Sequence, residues 1–119
     1  YLDIDKMAGW LADPSRLVGL HFFSPAHIMK LLEIVRGKAS SDMALATGFA
    51  LAKRLGKLPV MVGVCDGFVG NRMLQRVREA AEHLLLDGAE FTQIDRVMTN
   101  FGYAMGLYMR QVWCGLVCL

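Results

Sequence analysis

The sequence predicts an α/β part built on three short strands, followed by an α-helical part. Apolar runs of strand length occupy residues 17–23, 29–35 and 58–64. A helix-length segment, residues 41–55, lies between the second and third runs. From residue 66 onward the apolar residues recur at helical spacing instead.

Length and composition limit the class of protein. The 119 residues suffice for one small domain, and 55% of them are hydrophobic, which predicts apolar faces that meet further parts of a larger protein. The start at Tyr1, without an initiator Met or a signal peptide, favours the same interpretation. No run approaches the roughly 20 apolar residues that a membrane-spanning helix needs. A net charge of +2 gives no argument for nucleic acid or an anionic membrane as a partner.

The cysteines indicate a reducing compartment. Their number is odd, and Cys65, Cys114 and Cys118 show no paired spacing that would suggest a disulfide framework. Cys114 and Cys118 lie four residues apart without a neighbouring His, so we expect no metal site.

The first part is predicted to open with a short helix, which Asp3 caps and Asp13-Pro14 ends. Its expected apolar face is Ile4, Met7, Ala8 and Leu11. The runs at residues 17–23 and 29–35, separated by Ser24-Pro25, are almost continuously apolar, which is typical of strands buried on both faces.

Residues 41–55 are predicted to form a helix that Ser41 caps and Gly56 ends. Its expected inner face is Met43, Ala46, Phe49, Ala50 and Lys53. Because this helix separates the runs at residues 29–35 and 58–64, those two strands are predicted to pair in parallel.

The second part is predicted to contain a long helix over residues 68–86 and a shorter helix after Asp87-Gly88. Thr92 and Asp95 resemble a capping box for the shorter helix. The long helix has an apolar stripe of Val69, Met73, Val77, Ala80 and Leu84, and the shorter one carries Ile94, Val97, Met98 and Phe101. Three strands and two helices cannot cover all their own apolar faces, so neither part looks complete.

His21 is a polar residue in an apolar strand. One interpretation is a core histidine bonded to the backbone. The other is a general base, because ligands of open parallel sheets bind outside the carboxyl ends of the strands and His21 lies in the second half of its strand. His27 and His83 are interpreted as structural or surface residues.

Glu33 lies in the next apolar strand, where a carboxylate is costly to bury unless it is paired. If the strands are neighbours, it can hydrogen-bond one ring nitrogen of His21 and leave the other for proton transfer. The alternative is an ion pair of Glu33 with Lys30 or Arg36. Spacing alone does not decide between the His21 contact and such an ion pair.

The segment CDGFVGNRM, residues 65–73, opens the long helix. Gly67 and Gly70 allow close approach of the backbone, and Asn71 offers a donor and an acceptor to a ligand oxygen. Alternatively, Asp66 caps the helix and Asn71 faces solvent.

These motifs point to a known family. GLHFFSPAHIMKLLEIV, followed roughly thirty residues later by CDGFVGNRM, resembles the 3-hydroxyacyl-CoA dehydrogenases, and most of all the branch in multifunctional fatty-acid oxidation enzymes. The resemblance covers residues 1–106. It implies an α/β fold in which residues 1–65 are the C-terminal part of a Rossmann-like NAD-binding domain. Residues 66–119 would then be the start of the all-α C-terminal domain.

The resemblance also implies roles for individual residues. His21 matches the catalytic base and Glu33 the residue that orients it. Asn71 matches the asparagine that binds the substrate oxygen. Ser24 falls where the family has a cofactor-binding residue near the nicotinamide.

The implied reaction is oxidation of an L-3-hydroxyacyl-CoA to the 3-ketoacyl-CoA in fatty-acid β-oxidation, with NAD as the cofactor. The substrate would be an acyl-CoA thioester and the intact enzyme a homo-oligomer. The implied location is the bacterial cytoplasm or, in a eukaryote, the peroxisome or mitochondrial matrix.

The sequence departs from the family in two places. No G-x-G-x-x-G follows a strand, so the N-terminal half that holds NAD is expected before Tyr1, and the 119-residue chain alone is expected to be inactive. After Gly106 the segment LYMRQVWCGLVCL does not match, which favours a frame change or a false end, with a genuine divergent terminus as the alternative. A dehydrogenase of 3-hydroxy acids without CoA, and a non-catalytic remnant that serves as an interaction module, stay open as alternatives.

Overall fold

The computed structural model of the protein describes the backbone of residues 2–117 and the side chains of residues 2–112. Its helices are α1 (Ile4–Ala8), α2 (Asp42–Arg54), α3 (Gly70–Leu86), α4 (Phe91–Phe101) and α5 (Leu107–Val117), and its strands are β1 (Gly19–Phe22), β2 (Leu31–Arg36) and β3 (Leu58–Gly63). The chain divides into two compact units between Arg72 and Met73, and α3 begins in the first and continues in the second.

The first unit contains a three-stranded sheet in the order β1-β2-β3. The predicted parallel pairing across α2 is confirmed, since β2 and β3 run parallel. β1, however, pairs antiparallel with β2. The connection between Phe22 and Leu31 is too short for a parallel crossover, which takes a dozen or more residues.

β2 is the central strand, and it is buried on both faces as predicted. Leu32, Glu33, Ile34 and Val35 are each at most 1% exposed. Because successive side chains alternate, the strand supplies two apolar clusters. One contains Leu32, Ile34, Leu45 and Ala52, and the other contains Ile4, Val35, Val62 and Phe68. Glu33 shares the strand face of Val35, on the side where Phe68 packs.

α2 begins and ends where predicted, but its inner face is different. The hydroxyl of Ser41 accepts a hydrogen bond from the N–H of Ala44 at 3.2 Å, and Gly56 follows the helix with a positive φ of 66°. The buried residues are Leu45, Gly48 and Ala52. Most of the predicted face was wrong, since Met43 is 80% exposed, although Phe49 packs against the cluster of Leu32 and Ile34 as predicted. The helix lies close to the sheet at Gly48, where a Cβ would lie 3.4 Å from Cγ2 of Ile34.

The second unit has a core of Ala81, Ile94 and Leu107, one residue from each of α3, α4 and α5. The apolar stripe of α3 lies at the surface instead, with Met73 66% and Leu84 51% exposed. Three residues of the stripe, Val77, Ala80 and Leu84, line an open apolar cavity of roughly 470 Å³ together with residues of α4.

The predicted capping box of Thr92 and Asp95 is wrong. The cap lies two residues earlier, at Glu90, and the side chain of Gln93 accepts a hydrogen bond from the N–H of Glu90 at 2.9 Å. The carboxylate of Asp95 instead accepts the N–H groups of Tyr108 and Met109, both at 2.9 Å, and so caps the start of α5.

Among residues 2–117, no helix has the length and apolar character needed to cross a membrane. The side chains of Cys114 and Cys118 lie outside the described residues.

We expect Asp95→Ala to destabilise the chain by about 1 kcal/mol, within the usual range of 0.5–2 for a lost helix cap, because α5 loses two acceptors. Denaturant unfolding followed by circular dichroism measures this. Thr92→Ala is the matched control and should change the free energy of unfolding by less than about 0.5 kcal/mol. A larger loss in Thr92→Ala than in Asp95→Ala would contradict the assignment of the cap.

Candidate active site

The sheet register places His21 directly opposite Glu33 in the antiparallel ladder of β1 and β2. Nδ1 of His21 lies 2.7 Å from Oε2 of Glu33. The His21 side chain is 25% exposed and the Glu33 side chain 1% exposed. The arrangement therefore joins a buried carboxylate to an imidazole that solvent still reaches.

The second carboxylate oxygen of Glu33 binds the start of α3. Oε1 accepts hydrogen bonds from the N–H groups of Val69 at 2.9 Å and Gly70 at 2.8 Å. Helix N-terminal N–H groups favour a negative charge. Glu33 thus satisfies both its oxygens, which is the condition for burying an ionised carboxylate.

Burial raises the pKa of Glu33, but the hydrogen bond from His21 and the N–H groups of Gly70 and Val69 together outweigh it, so the pKa lies below its ordinary value. Glu33 is therefore ionised at neutral pH. An ionised partner at Nδ1 favours the proton on that nitrogen in the neutral ring, so that Nε2 then carries the unprotonated lone pair.

The alternative ion pair of Glu33 with Lys30 or Arg36 is wrong. Oε2 of Glu33 contacts His21, Oε1 accepts two backbone N–H groups, and the guanidinium of Arg36 lies 3.7 Å from the carboxylate of Asp42 instead. The interpretation of His21 as a core histidine bonded only to the backbone also fails, because Nδ1 contacts a carboxylate.

The prediction that His21 lies towards the carboxyl end of a parallel strand is wrong, because β1 is not parallel to β2. This strand is antiparallel, so its second half pairs with the first half of β2. Glu33 is the third residue of β2 and lies beside Val60, the third residue of β3. His21 therefore lies towards the amino ends of the two parallel strands.

Asn71 lies in the first turn of α3, directly after Gly70, whose N–H binds Glu33. It is half-buried. Ser24 is exposed and lies in the connection that follows β1. Hydrogen bonds of Glu33 thus connect His21 with the start of α3, which carries Asn71. Ser24 lies near His21 in the sequence, three residues further along the chain.

Two aromatic residues at the site were missed in the sequence. The ring centroid of Phe23 lies 4.8 Å from that of His21, and the ring centroid of Phe68 lies 5.4 Å from it. Gly70 was identified as a point of close approach, and a Cβ there would lie 2.6 Å from Cζ of Phe23. Gly70 therefore indicated that a side chain packs against the start of α3, which is the ring of Phe23. For Phe68 the sequence offered only its position in the motif CDGFVGNRM.

The turn between β2 and α2 is where a parallel β-α unit would present N–H groups to the diphosphate of a dinucleotide. Here those groups bond within the protein: Gly37 donates to Ser40 Oγ, Lys38 to Asp5 Oδ1, and Ser41 to the carbonyl of Ser15. This turn does not fit a diphosphate. Among the described side chains, no group of three His, Cys, Asp or Glu is arranged to hold a metal ion.

Comparison with protein families matches both parts of the chain. Residues 1–65 match the NAD-binding domain of 3-hydroxyacyl-CoA dehydrogenase, and residues 67–112 match its C-terminal domain. The second match runs past Gly106, so the expectation that the resemblance ends there was wrong.

Individual relatives agree with the family match. The chain is 50% identical over 115 residues to the peroxisomal bifunctional enzyme of Danio rerio, covering 97% of this chain and 16% of the relative. It is 46% identical over 105 residues to the fatty acid oxidation complex subunit alpha of Acinetobacter baylyi, covering 88% of this chain and 15% of that subunit. The chain therefore spans about a sixth of the length of these relatives.

The fold is also similar to that of solved structures. The crystal structure of (S)-3-hydroxybutyryl-CoA dehydrogenase from Ralstonia eutropha matches with a TM-score of 0.79 and 35% identity. The match covers 89% of this chain and 38% of that enzyme.

We expect the stability of the chain to fall in acid partly through Glu33. Its pKa is lower in the folded chain than its ordinary value of 4.5, so its stabilising contribution is present above that pH and is lost as the pH falls through the folded pKa. Glu33→Gln should therefore lower the free energy of unfolding most near neutral pH, and the difference from the unsubstituted chain should shrink below about pH 4.5.

Urea unfolding at a series of pH values measures this difference. Asp42→Asn is the control, because the Asp42 side chain is 94% exposed and its ion pair with Arg36 is long, at 3.7 Å. A difference for Glu33→Gln that stays constant down to about pH 3 would rule out a lowered pKa for Glu33.

Proposed function

The chain belongs to the 3-hydroxyacyl-CoA dehydrogenase family, and on that premise we propose that it carries the acid–base residues of an NAD-dependent L-3-hydroxyacyl-CoA dehydrogenase of fatty-acid β-oxidation. The observation that carries this proposal is the contact of 2.7 Å between Nδ1 of His21 and Oε2 of Glu33. The lowered pKa of Glu33 supports it, since an ionised carboxylate stabilises the imidazolium that forms when a base takes a proton.

His21 is the general base of the proposed reaction. In this family NAD supplies the acceptor for the hydride that leaves C3 of the substrate. Nε2 of His21 takes the proton of the C3 hydroxyl, and the hydroxyl becomes the ketone oxygen. In the reverse direction the imidazolium returns the proton to that oxygen, so Glu33 stabilises the charged form in both directions.

Asn71 is the proposed ligand of the substrate oxygen. Its position supports this role, because it directly follows Gly70, whose N–H is fixed by the same carboxylate that orients His21. An amide can donate to a ketone oxygen as it forms. Ser24, exposed after β1, is the proposed contact to the nicotinamide and rests on the family resemblance.

The proposed assignment of the parts is an incomplete NAD-binding domain over residues 1–65 and the start of the helical domain over residues 66–119. A multifunctional enzyme and a peroxisomal location are supported by the name of one relative, the peroxisomal bifunctional enzyme, and a bacterial cytoplasm and a mitochondrial matrix are the alternative locations. An acyl-CoA thioester as the substrate and a homo-oligomer as the intact form belong to the same proposal.

We expect His21→Ala to lower kcat by about 10²–10⁴-fold in the full-length protein that contains this sequence, because a general base is lost. Glu33→Gln should lower kcat as well, since it removes the charge beside Nδ1. His27→Ala, in the connection after β1, is the matched control and should keep its kcat. The measurement is the NADH produced from an L-3-hydroxyacyl-CoA.

Substrate competition separates the alternatives in the same assay. The proposal requires that the CoA thioester is oxidised and that the corresponding free 3-hydroxy acid competes poorly. Efficient turnover of the free acid would favour a dehydrogenase of 3-hydroxy acids. Full activity of His21→Ala would exclude His21 as the base, and no turnover of either substrate by the unsubstituted protein would favour a non-catalytic module.

We expect the 119-residue chain by itself to bind NAD weakly or not at all and to show no turnover. The N–H groups of Gly37, Lys38 and Ser41 already have protein acceptors, so the β2–α2 turn offers no diphosphate site. Titration calorimetry with NAD tests this, with the full-length protein as the control. Binding by the short chain with the affinity of the full-length protein would contradict it.

A further inference from the structure

Phe68 has an unusual backbone for its residue type. Among residues 2–117 it is the one non-glycine residue with a positive φ, at 44°. The left-handed region is unfavourable for a residue with a bulky side chain, and such conformations persist where the surrounding structure fixes them, often at functional sites. The neighbouring Gly67 also has a positive φ, of 70°, but a glycine adopts it readily.

This backbone conformation places two groups at the site. The ring of Phe68 is 7% exposed, packs against Ile4, Val35 and Val62, and has its centroid 5.4 Å from that of His21. The next N–H along the chain, that of Val69, donates to Glu33. The same turn thus contacts both members of the His21–Glu33 pair.

Phe23 contacts the imidazole as well. Its ring centroid lies 4.8 Å from that of His21, with the ring planes tilted by 55°. The ring also fills the space beside Gly70, where a Cβ would lie 2.6 Å from Cζ and 3.0 Å from Cε1. The absence of a Cβ at Gly70 therefore allows the ring of Phe23 to contact both the start of α3 and the imidazole of His21.

A hydrogen bond at Nδ1 does not by itself fix the direction of Nε2, because the last torsion of a histidine side chain is broad and the ring can tilt about that contact. Packing of aromatic rings against it narrows this motion. A base must hold its nitrogen near the hydroxyl, and a small misplacement of a reacting group can lower a rate by about 10²-fold.

We propose that Phe23 and Phe68 are positioning residues for His21, whose two rings hold the imidazole so that Nε2 keeps one direction while Glu33 holds Nδ1. The left-handed backbone at Phe68 is retained because it brings that ring to the imidazole. This inference rests on the proposed function, since it concerns the orientation of the proposed base.

The test compares Phe68→Leu and Phe23→Leu with the unsubstituted full-length protein. Each substitution keeps an apolar side chain and removes the ring. We expect kcat for the 3-hydroxyacyl-CoA to fall about tenfold or more, with KM changed less than about twofold, because binding is kept and alignment is lost. Phe49→Leu is the matched control, because Phe49 packs in the other cluster of the first unit, against α2 and β2.

NMR relaxation of the ring C–H groups of His21 provides a readout that does not depend on turnover. In the unsubstituted protein the order parameter of these His21 signals should be that of a rigid group. In Phe68→Leu and Phe23→Leu the order parameter should fall, because the ring gains motion about its last torsion. In Phe49→Leu the order parameter should stay unchanged.

The outcomes separate the two proposals. Unchanged kcat and unchanged His21 signals in the folded variants overturn the positioning role, and so does an equal loss of kcat in Phe49→Leu. If Phe68→Leu fails to fold, Phe23→Leu decides by the same criteria. If the unsubstituted protein does not oxidise the CoA thioester, the proposed function fails, and the NMR signals still decide whether the rings hold the imidazole.

Discussion

The carboxylate of Glu33 joins three segments of the first unit. Its side chain is 1% exposed at the centre of β2, where an unpaired charge would be strongly unfavourable. One oxygen contacts His21 in β1, and the other accepts two N–H groups at the start of α3. Removing one hydrogen-bond partner would leave part of the buried negative charge of Glu33 uncompensated, so β1, β2 and the start of α3 depend on one another.

This interaction also explains why the pair of His21 and Glu33 could be predicted from the sequence. His21 and Glu33 are polar residues in apolar strands, and their residue types stand out against their neighbours. Their pairing could be expected because a buried carboxylate needs a partner. The direction of β1 was not read from the sequence, although the short connection to β2 already excluded a parallel crossover.

Other features could not be predicted because their cause is three-dimensional. The buried face of α2 contains Gly48 and Ala52, whose small side chains let the helix approach the sheet, and apolar residues such as the exposed Met43 also occur on its other faces, so hydropathy does not single out the buried one. The Asp95 side chain caps a helix more than ten residues later, which no local spacing indicates. The left-handed backbone of Phe68 follows from its tertiary contacts, since its residue type disfavours it.

The antiparallel register of β1 and β2 has a further consequence for how the chain can change. His21 and Glu33 are directly opposite each other, and side chains alternate between the two faces of a sheet. Inserting or deleting one residue inside either strand would turn one member of the pair to the opposite face, although both residues would still be present. The contact between His21 and Glu33 therefore depends on the register of β1 and β2 as much as on the identity of the two residues. A chain can retain both residues and lose their contact.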